Sequence, residues 1–317
     1  MRPASHSPKF AALMASLCSI LLVSACSTHT PGVAAAAEVA ALEKVSETDL
    51  PVAGTAWTLA ELPDTTAEVP ETCSDVLTVT VRGTAEPYGE KSLVVSISNM
   101  LKKKLEASED KKSDPFKPES DSKRSQSETS QSDSDASSAF DSAASKVGYE
   151  LIDVDYPASS EFGESAPEGM RKLIDILEMH STECPKQEIA LIGYSQGAYV
   201  IGEALTDPDS RLLGRGVGVI SDAALDRVKA IIFYGDPRFL GSDSFAYGTF
   251  KESVDGALPR LPGALDRAAD RIRSFCVAED IVCQTRDSFN EEGHIAYFDN
   301  GMREEGVEFI LDRLDAK

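Results

Sequence analysis

The segment Ile189–Ile201, with the sequence IALIGYSQGAYVI, places the tightest constraint on the fold. An apolar run enters a turn flanked by glycines and a second apolar run leaves it, so the segment predicts a strand, a sharp turn and a helix. The first run is apolar on both faces, as in a parallel strand covered by helices on both sides. Gly193 and Gly197 bracket Ser195 in a G-x-S-x-G pattern, where the absent Cβ atoms let the serine Oγ stand exposed above the sheet. Ser195 is therefore a candidate nucleophile, and a purely structural turn is the alternative.

Strand and helix patterns alternate along the rest of the chain. Runs rich in β-branched and aromatic residues predict further strands at Val76–Val81, Tyr149–Val154, Ala230–Tyr234 and Arg271–Phe275. Apolar residues at helical spacing predict helices at Leu93–Leu105, Pro167–Met179 and Glu304–Leu314. This alternation predicts a single three-layer α/β domain with a central parallel sheet over residues 71–317.

A polar segment from about residue 106 to residue 146 interrupts this pattern. Ser, Asp, Lys and Glu dominate it, and such a composition buries too little apolar surface to offset the entropy of ordering the chain. We predict a disordered insertion on the surface of the domain. A linker between two domains is the weaker interpretation, because the strand and helix before the segment are too small to form a core alone.

The first residues have the features of an export signal. Arg2 and Lys9 precede a continuous apolar run that is too short for a stable membrane span. The run ends in small residues before Cys26, which favours a lipoprotein signal over residues 1–25, a lipidated Cys26 and a flexible tether over residues 26–70. The alternative is an ordinary secretory signal cleaved near Ala34–Ala37. Both interpretations predict an exported protein, either anchored to the outer side of the cell membrane or secreted.

Export makes disulfides the expected state of the remaining cysteines. Of the six cysteines, Cys18 leaves with the predicted signal and Cys26 is the anchor candidate. The remaining four allow three pairings, of which the simplest joins Cys276 to Cys283 and Cys73 to Cys184. Metal binding is the alternative, but the chain has no CxxC motif and almost no histidine near these positions. We therefore predict neither a metal nor an organic cofactor.

A serine nucleophile needs a base, and the chain has four histidines. His6 and His29 fall in the predicted signal and tether. His180 lies near the end of an amphipathic helix, where a packed or solvated histidine is expected. His294 follows Gly293 in a predicted loop before the last helix, which fits the order of serine, acid and histidine found in α/β-hydrolases. His294 is therefore the candidate base.

The acid that orients this base is expected between the serine and the histidine in sequence. Asp236 follows the predicted strand that ends at Tyr234, and Asp280 lies between Cys276 and Cys283. A disulfide across that short loop would hold a carboxylate in a fixed position, so Asp280 is favoured. Its role would be to orient the imidazole and to stabilise its cation without taking the proton.

Several motifs together resemble the cutinases and cutinase-like serine esterases. They cover about residues 73 to 314, without the polar insertion and the loop from Phe239 to Pro262, and they are Arg82-Gly83-Thr84, Asp155-Tyr156-Pro157-Ala158, Gly193-Tyr194-Ser195-Gln196-Gly197-Ala198, Cys276-Val277-Ala278-Glu279-Asp280-Ile281-Val282-Cys283 and Gly293-His294-Ile295-Ala296-Tyr297. The resemblance implies a small, lidless α/β-hydrolase with Ser195, Asp280 and His294 as its triad. It also implies the disulfides Cys73–Cys184 and Cys276–Cys283. The long insertion and the second carboxylate in Tyr234-Gly235-Asp236 depart from the family pattern.

By the same resemblance, the oxyanion hole consists of the backbone N–H of Gln196 with the N–H and hydroxyl of Thr84. Ile281 and Ile295 are expected to line an apolar acyl groove, with ordinary core packing as the alternative. The expected function is that of an exported, monomeric serine esterase that hydrolyses lipid or polyester-like carboxylic esters. An envelope acyltransferase and a non-catalytic envelope binding protein are the alternatives. The formal net charge of -22 argues against a nucleic-acid partner, because neutralising phosphates requires clustered Lys and Arg.

Overall fold

The computed structural model of the protein describes residues 67–112, 147–285 and 291–315. The predicted signal peptide, the lipidation site Cys26, nearly all of the tether and most of the polar insertion lie outside these ranges. Within the described ranges, no helix combines the length and apolar character needed to cross a membrane.

Six parallel strands form one sheet. In chain order they are β1 (Val76–Val81), β2 (Tyr149–Asp153), β3 (Glu188–Tyr194), β4 (Val228–Tyr234), β5 (Ala246–Gly248) and β6 (Ile272–Cys276). Their spatial order is β2-β1-β3-β4-β6-β5, with β3 and its G-x-S-x-G turn near the centre. The pairs Val81 with Gly193 and Tyr194 with Tyr234 show that neighbouring strands end at the same level. Residues that follow different strands therefore meet at the carboxyl edge of the sheet.

Helices cover both faces of the sheet. They are α1 (Leu93–Lys112), α2 (Phe162–Glu183), α3 (Gln196–Leu205), α4 (Asp222–Arg227), α5 (Glu291–Ile295) and α6 (Met302–Leu311), with short 3₁₀ helices at Pro208–Ser210, Asp266–Arg271 and Ala296–Phe298. Alternate strand residues point to opposite faces. In β3, Leu191 packs in the cluster that contains α2, α3 and α4, whereas Ile192 packs in the cluster that contains α1 and α6. The predicted three-layer α/β fold with a central parallel sheet is confirmed.

The element boundaries differ from the predicted ones in several places. Helix α1 continues to Lys112, into the segment predicted to be disordered from about residue 106. Helix α2 begins at Phe162, before the predicted start at Pro167, and that proline lies inside the helix. His294 lies in the short helix α5 and not in a loop. The short elements α4 and β5 had not been predicted, since each has too few residues to show a periodic pattern.

Two disulfides close loops of very different length. Cys73 is bonded to Cys184 across a sequence separation of 111 residues, which ties the segment before β1 to the end of α2. Cys276 is bonded to Cys283 across a separation of 7 residues, directly after β6. These are the pairs that the simplest scheme and the family resemblance specify. The first bond restrains the whole domain, and the second fixes one loop at the carboxyl edge.

Candidate active site

Ser195 occupies a strained turn between β3 and α3. Its φ of 56° lies in the left-handed region, where a non-glycine residue is disfavoured. A Cβ at Gly197 would approach the Val81 carbonyl oxygen to 1.9 Å, and a Cβ at Gly193 would approach the Ala198 backbone to 2.8 Å. Only glycine fits at these two positions. Neighbouring backbone therefore packs tightly against the turn on both sides of Ser195. Ser195 lies at the N-terminus of α3, where the helix dipole favours negative charge.

His294 lies beside this serine. Its Nε2 is 2.6 Å from the Ser195 Oγ, within hydrogen-bond reach. The ring of Tyr194 stacks on the imidazole with centroids 4.9 Å apart, and the Tyr194 hydroxyl donates to the His294 carbonyl at 2.8 Å. Both contacts are made by Tyr194, the residue directly before the serine. The imidazole is thus held in one orientation toward Ser195.

Asp280 completes a chain of hydrogen bonds with His294. The His294 Nδ1 lies 2.9 Å from the Asp280 Oδ1, and the Tyr297 hydroxyl donates to Oδ2 at 2.6 Å. The backbone N–H of Val282 also donates to Oδ1, at 2.8 Å. Burial alone would raise the pKa of Asp280, but the adjacent imidazole and these hydrogen bonds outweigh burial and lower that pKa. The carboxylate is therefore ionised and positioned to stabilise an imidazolium.

The competing carboxylate, Asp236, has other partners. Its Oδ2 forms an ion pair of 2.8 Å with the Arg260 guanidinium. Its Oδ1 accepts the backbone N–H of Arg238 at 2.9 Å. Both members of the ion pair are buried. Asp236 thus belongs to a buried ion pair, although its position just after β4 would also suit the acid of a triad. His180, the rejected base, is buried with its Nδ1 2.8 Å from the Gln187 side-chain oxygen.

Thr84 and Gln196, the predicted oxyanion-hole residues, lie together next to the serine. The Gln196 side-chain amide donates to the Thr84 hydroxyl at 3.1 Å and to the Ser159 carbonyl at 2.9 Å. A Cβ at Gly83 would lie 3.1 Å from the Ser195 Cβ, so the β1–α1 loop passes directly against Ser195. The structure therefore brings Thr84 into contact with Gln196, the first residue of α3.

The two predicted groove residues differ in exposure. Ile281 is 9% exposed and packs in the cluster with α2 and α3, whereas Ile295 is half-buried. Ser195 and His294 are each 1% exposed, so the lidless access implied by the family resemblance stays a prediction. Among the described residues, no group of three or more His, Cys, Asp and Glu side chains could hold a metal.

Two contributors to the site had no assigned role in the sequence. Tyr297 supplies the second hydrogen bond to Asp280, and only its position in the Gly293–Tyr297 motif could have suggested it. Gly235 has a φ of 57°, and a Cβ there would lie 2.7 Å from the His294 Cε1 and 2.8 Å from the Asp280 Oδ2. The His–Asp pair therefore requires glycine after β4. The signal for this requirement is the glycine of Tyr234-Gly235-Asp236, which directly follows a strand, where glycine can adopt a positive φ.

Comparisons with known proteins identify the family to which the chain is similar. The family model described as Cutinase matches residues 122–314. Acetylxylan esterase 2 of Talaromyces purpureogenus is 30% identical over 141 residues, which are 41% of this chain and 59% of that protein. The probable carboxylesterase Culp5 of Mycobacterium tuberculosis is 31% identical over 182 residues, which are 55% of this chain and 94% of that protein. The chain thus spans less than two thirds of the length of the acetylxylan esterase and nearly all of the length of the carboxylesterase.

The fold is also similar to that of solved structures. The catalytic core domain of acetyl xylan esterase from Trichoderma reesei superposes with a TM-score of 0.54 and 22% sequence identity. The alignment covers 77% of this chain and 100% of that chain. At this identity the likeness concerns the fold, namely a parallel sheet covered by helices on both faces.

Proposed function

The chain belongs to the cutinase family of carboxylic ester hydrolases, and on this premise we propose that it cleaves esters through a covalent acyl-enzyme on Ser195. The continuous hydrogen-bond chain from the Ser195 Oγ through His294 to Asp280 carries the proposal. In the neutral imidazole, the Nδ1–H donates to Asp280, which leaves Nε2 as an acceptor for the serine proton. Ser195 is the nucleophile, His294 the base and Asp280 the orienting acid.

The reaction proceeds in two steps. The Ser195 Oγ attacks the ester carbonyl carbon while His294 takes its proton, and the resulting tetrahedral intermediate collapses as His294 returns the proton to the leaving alkoxide. Water then attacks the acyl-enzyme with His294 as base, and the acid leaves as Ser195 is restored. The ionised Asp280 stabilises the imidazolium in both steps.

The oxyanion of each tetrahedral intermediate needs donors that are already in place. The backbone N–H of Gln196, with the N–H and hydroxyl of Thr84, is the proposed set. The Gln196 side chain supports this assignment because its hydrogen bond to the Thr84 hydroxyl fixes that hydroxyl beside the nucleophile. Preorganised donors of this kind contribute about 2.7–4 kcal/mol each to transition-state stabilisation.

The proposed substrates are carboxylic esters with lipid or small acyl groups, held with their acyl chain against Ile281 and Ile295. Export, with or without a lipid on Cys26, is part of the proposal. Two disulfides in the described residues support it, because such bonds persist in oxidising compartments.

Hydrolysis of p-nitrophenyl butyrate by the purified protein tests the proposal. We expect saturable turnover that falls by about 10⁴-fold or more in Ser195→Ala, since removal of a triad member leaves only the contributions of the oxyanion hole and binding. Ser181→Ala is the matched control, because Ser181 bonds the Glu178 carbonyl near the end of α2, remote from the carboxyl edge. Equal turnover in the two variants would contradict the proposal.

A further inference from the structure

Glu86 is a carboxylate that acyl transfer does not use, although it lies two residues after Thr84. Its Oε2 accepts the N–H of Gly83 at 2.7 Å and its Oε1 accepts the N–H of Leu93 at 2.9 Å. Gly83 directly precedes Thr84, and Leu93 is the first residue of α1. The side chain therefore bridges the two ends of the β1–α1 loop that contains Thr84.

Further hydrogen bonds, from the Ala85 backbone N–H and from the Arg82 guanidinium, hold the rest of this loop. Ala85 has a φ of 59° and its N–H donates to the Ala158 carbonyl at 2.8 Å. Arg82 donates to the Val154 carbonyl at 3.1 Å and to the Glu86 carbonyl at 3.2 Å. Ala85, beside Thr84, has a left-handed backbone conformation, which a non-glycine residue adopts only when surrounding contacts restrain it. Two carboxylates accept backbone N–H groups of this loop: Asp153 bonds Gly89 at 2.9 Å, and Glu86 bonds Gly83 and Leu93 at its two ends.

An ionised carboxylate is required for both Glu86 hydrogen bonds. Ionised, it is an acceptor at both oxygens, whereas a protonated carboxyl group presents an O–H to one of the two backbone donors. Burial raises the pKa of Glu86 from 4.5 to about 7, even though the hydrogen bonds from Leu93 and Gly83 lower it. Its charge state therefore changes near neutral pH.

The charged groups around Glu86 come from three elements. Asp153 at the end of β2 raises the pKa of Glu86, and His294 of α5 lowers it. Arg82, at the end of β1, faces the Glu86 backbone carbonyl and lies over the Tyr88 and Tyr156 rings. The influence of His294 shows that the Glu86 carboxylate is within electrostatic range of the candidate base.

We propose that the ionised Glu86 side chain is a positioning residue that holds Thr84 in the conformation required by the oxyanion hole. This inference rests on the proposed function, because the oxyanion hole is part of that proposal. Glu86 itself touches neither the ester nor the reacting atoms. Its effect falls on the transition state, so kcat responds and KM does not.

The proposal makes the acid side of the pH profile depend on two protons. Protonation of the base removes activity, and protonation of Glu86, whose pKa is raised to about 7, releases the Thr84 loop. The slope of log kcat/KM against pH should therefore exceed 1 in the wild type around pH 7, until the roughly 10- to 100-fold contribution of the Glu86 charge is lost. In Glu86→Gln only the histidine remains to be titrated, and the slope should approach 1.

The experiment compares Glu86→Gln with Glu90→Gln in p-nitrophenyl butyrate hydrolysis from pH 5 to pH 9. Glu90 is exposed in the same loop, so its variant controls for loss of a charge there. At pH 8 we expect kcat of Glu86→Gln to fall roughly 10- to 100-fold with little change in KM, somewhat less than removal of an oxyanion-hole donor costs. Glu90→Gln should match the wild type.

Melting temperatures measured on the same samples provide a second readout. Because the pKa of Glu86 is raised in the folded state, folding favours its protonated form. The free energy of unfolding therefore includes a contribution from Glu86 that is fully present below about pH 4.5 and is lost as pH rises through about 7. The wild type should therefore lose melting temperature relative to Glu86→Gln between pH 5 and pH 8. A difference that does not change with pH would overturn the assignment of this titration to Glu86.

The outcomes separate the two proposals. An inactive wild type contradicts the proposed function, whereas an active wild type with equal kcat in the two variants overturns only the role of Glu86. If Glu86→Gln does not fold, the wild-type profile decides alone. A slope that never exceeds 1 around pH 7 then overturns the role of Glu86, and a slope above 1 in that range supports it.

Discussion

Two buried aspartates at the carboxyl edge of the sheet differ in the partner that each one serves. Asp280 accepts hydrogen bonds from His294, Tyr297 and the Val282 N–H. Asp236 neutralises Arg260. Because one carboxylate is hydrogen-bonded to the proposed base and the other compensates a buried charge, the same substitution should affect different properties of the protein.

We predict that Asp280→Asn lowers kcat by about 10⁴-fold, because an amide at this position favours the wrong imidazole tautomer. Asp236→Asn should keep kcat within a few-fold of the wild type. It should lower the free energy of unfolding by about 3 kcal/mol or more, since it leaves the buried Arg260 without its counter-charge. Ester hydrolysis and urea unfolding of both variants measure this contrast. An inactive Asp236→Asn beside an active Asp280→Asn would show that Asp236, and not Asp280, is the acid.

At the scale of single elements, the two disulfides restrain different parts of the fold. The Cys276–Cys283 loop carries Asp280, whose orientation depends on that loop. The Cys73–Cys184 bond closes a much longer loop, at the edge of the sheet opposite to the site. By loop entropy alone, the longer loop should contribute about 4–5 kcal/mol to stability and the shorter one about 2 kcal/mol.

Replacing each cysteine pair by alanines should therefore give opposite profiles. Removal of Cys73 and Cys184 is expected to lower the free energy of unfolding the more, with kcat at 25 °C unchanged in the folded protein. Removal of Cys276 and Cys283 is expected to lower kcat the more, because Asp280 loses its fixed position. Urea unfolding and ester hydrolysis of the two double variants, each checked by circular dichroism, measure both effects. A larger loss of kcat in the Cys73 and Cys184 variant would contradict this division.

The elements that the sequence predicted well are those with a strong local pattern. Strand β3 and the turn at Ser195 have an apolar run and two glycines whose steric role is visible in G-x-S-x-G. Strand β5 has three residues and no pattern of its own, and it exists because β6 offers an open edge. Helix α1 continues past the apolar repeat to Lys112 because the Glu and Lys residues that follow have a high helical propensity.

The candidate site shows the same division. Ser195, His294 and Asp280 were selected by residue type and order, and the structure places them in contact. The partners of Asp236 and Asp280 could not be distinguished by sequence, because both residues follow strands closely and only the tertiary fold supplies Arg260 or His294. Tyr297 and Glu86 were missed for the same reason, since each acts through a contact made across the fold.

At the scale of the whole molecule, the parallel sheet brings together residues that lie far apart in the chain. Thr84, Ser195, Gly235 and Asp280 each follow a different strand, and α5 adds His294. The strained turn at Ser195 has no evident structural benefit, yet it places Oγ within reach of a base. The central claim is therefore that this one serine, among the many in the chain, forms a covalent bond to substrate.

Stoichiometric labelling with diethyl p-nitrophenyl phosphate tests this claim most directly. The reagent phosphorylates an activated serine with release of p-nitrophenolate, and the slow second step leaves the label in place for peptide mass spectrometry. We predict one equivalent of p-nitrophenolate per protein, a label on the peptide that contains Ser195, and loss of ester hydrolysis in proportion to labelling. Ser195→Ala should release none. A label on another residue, or full esterase activity in the labelled protein, would contradict the account.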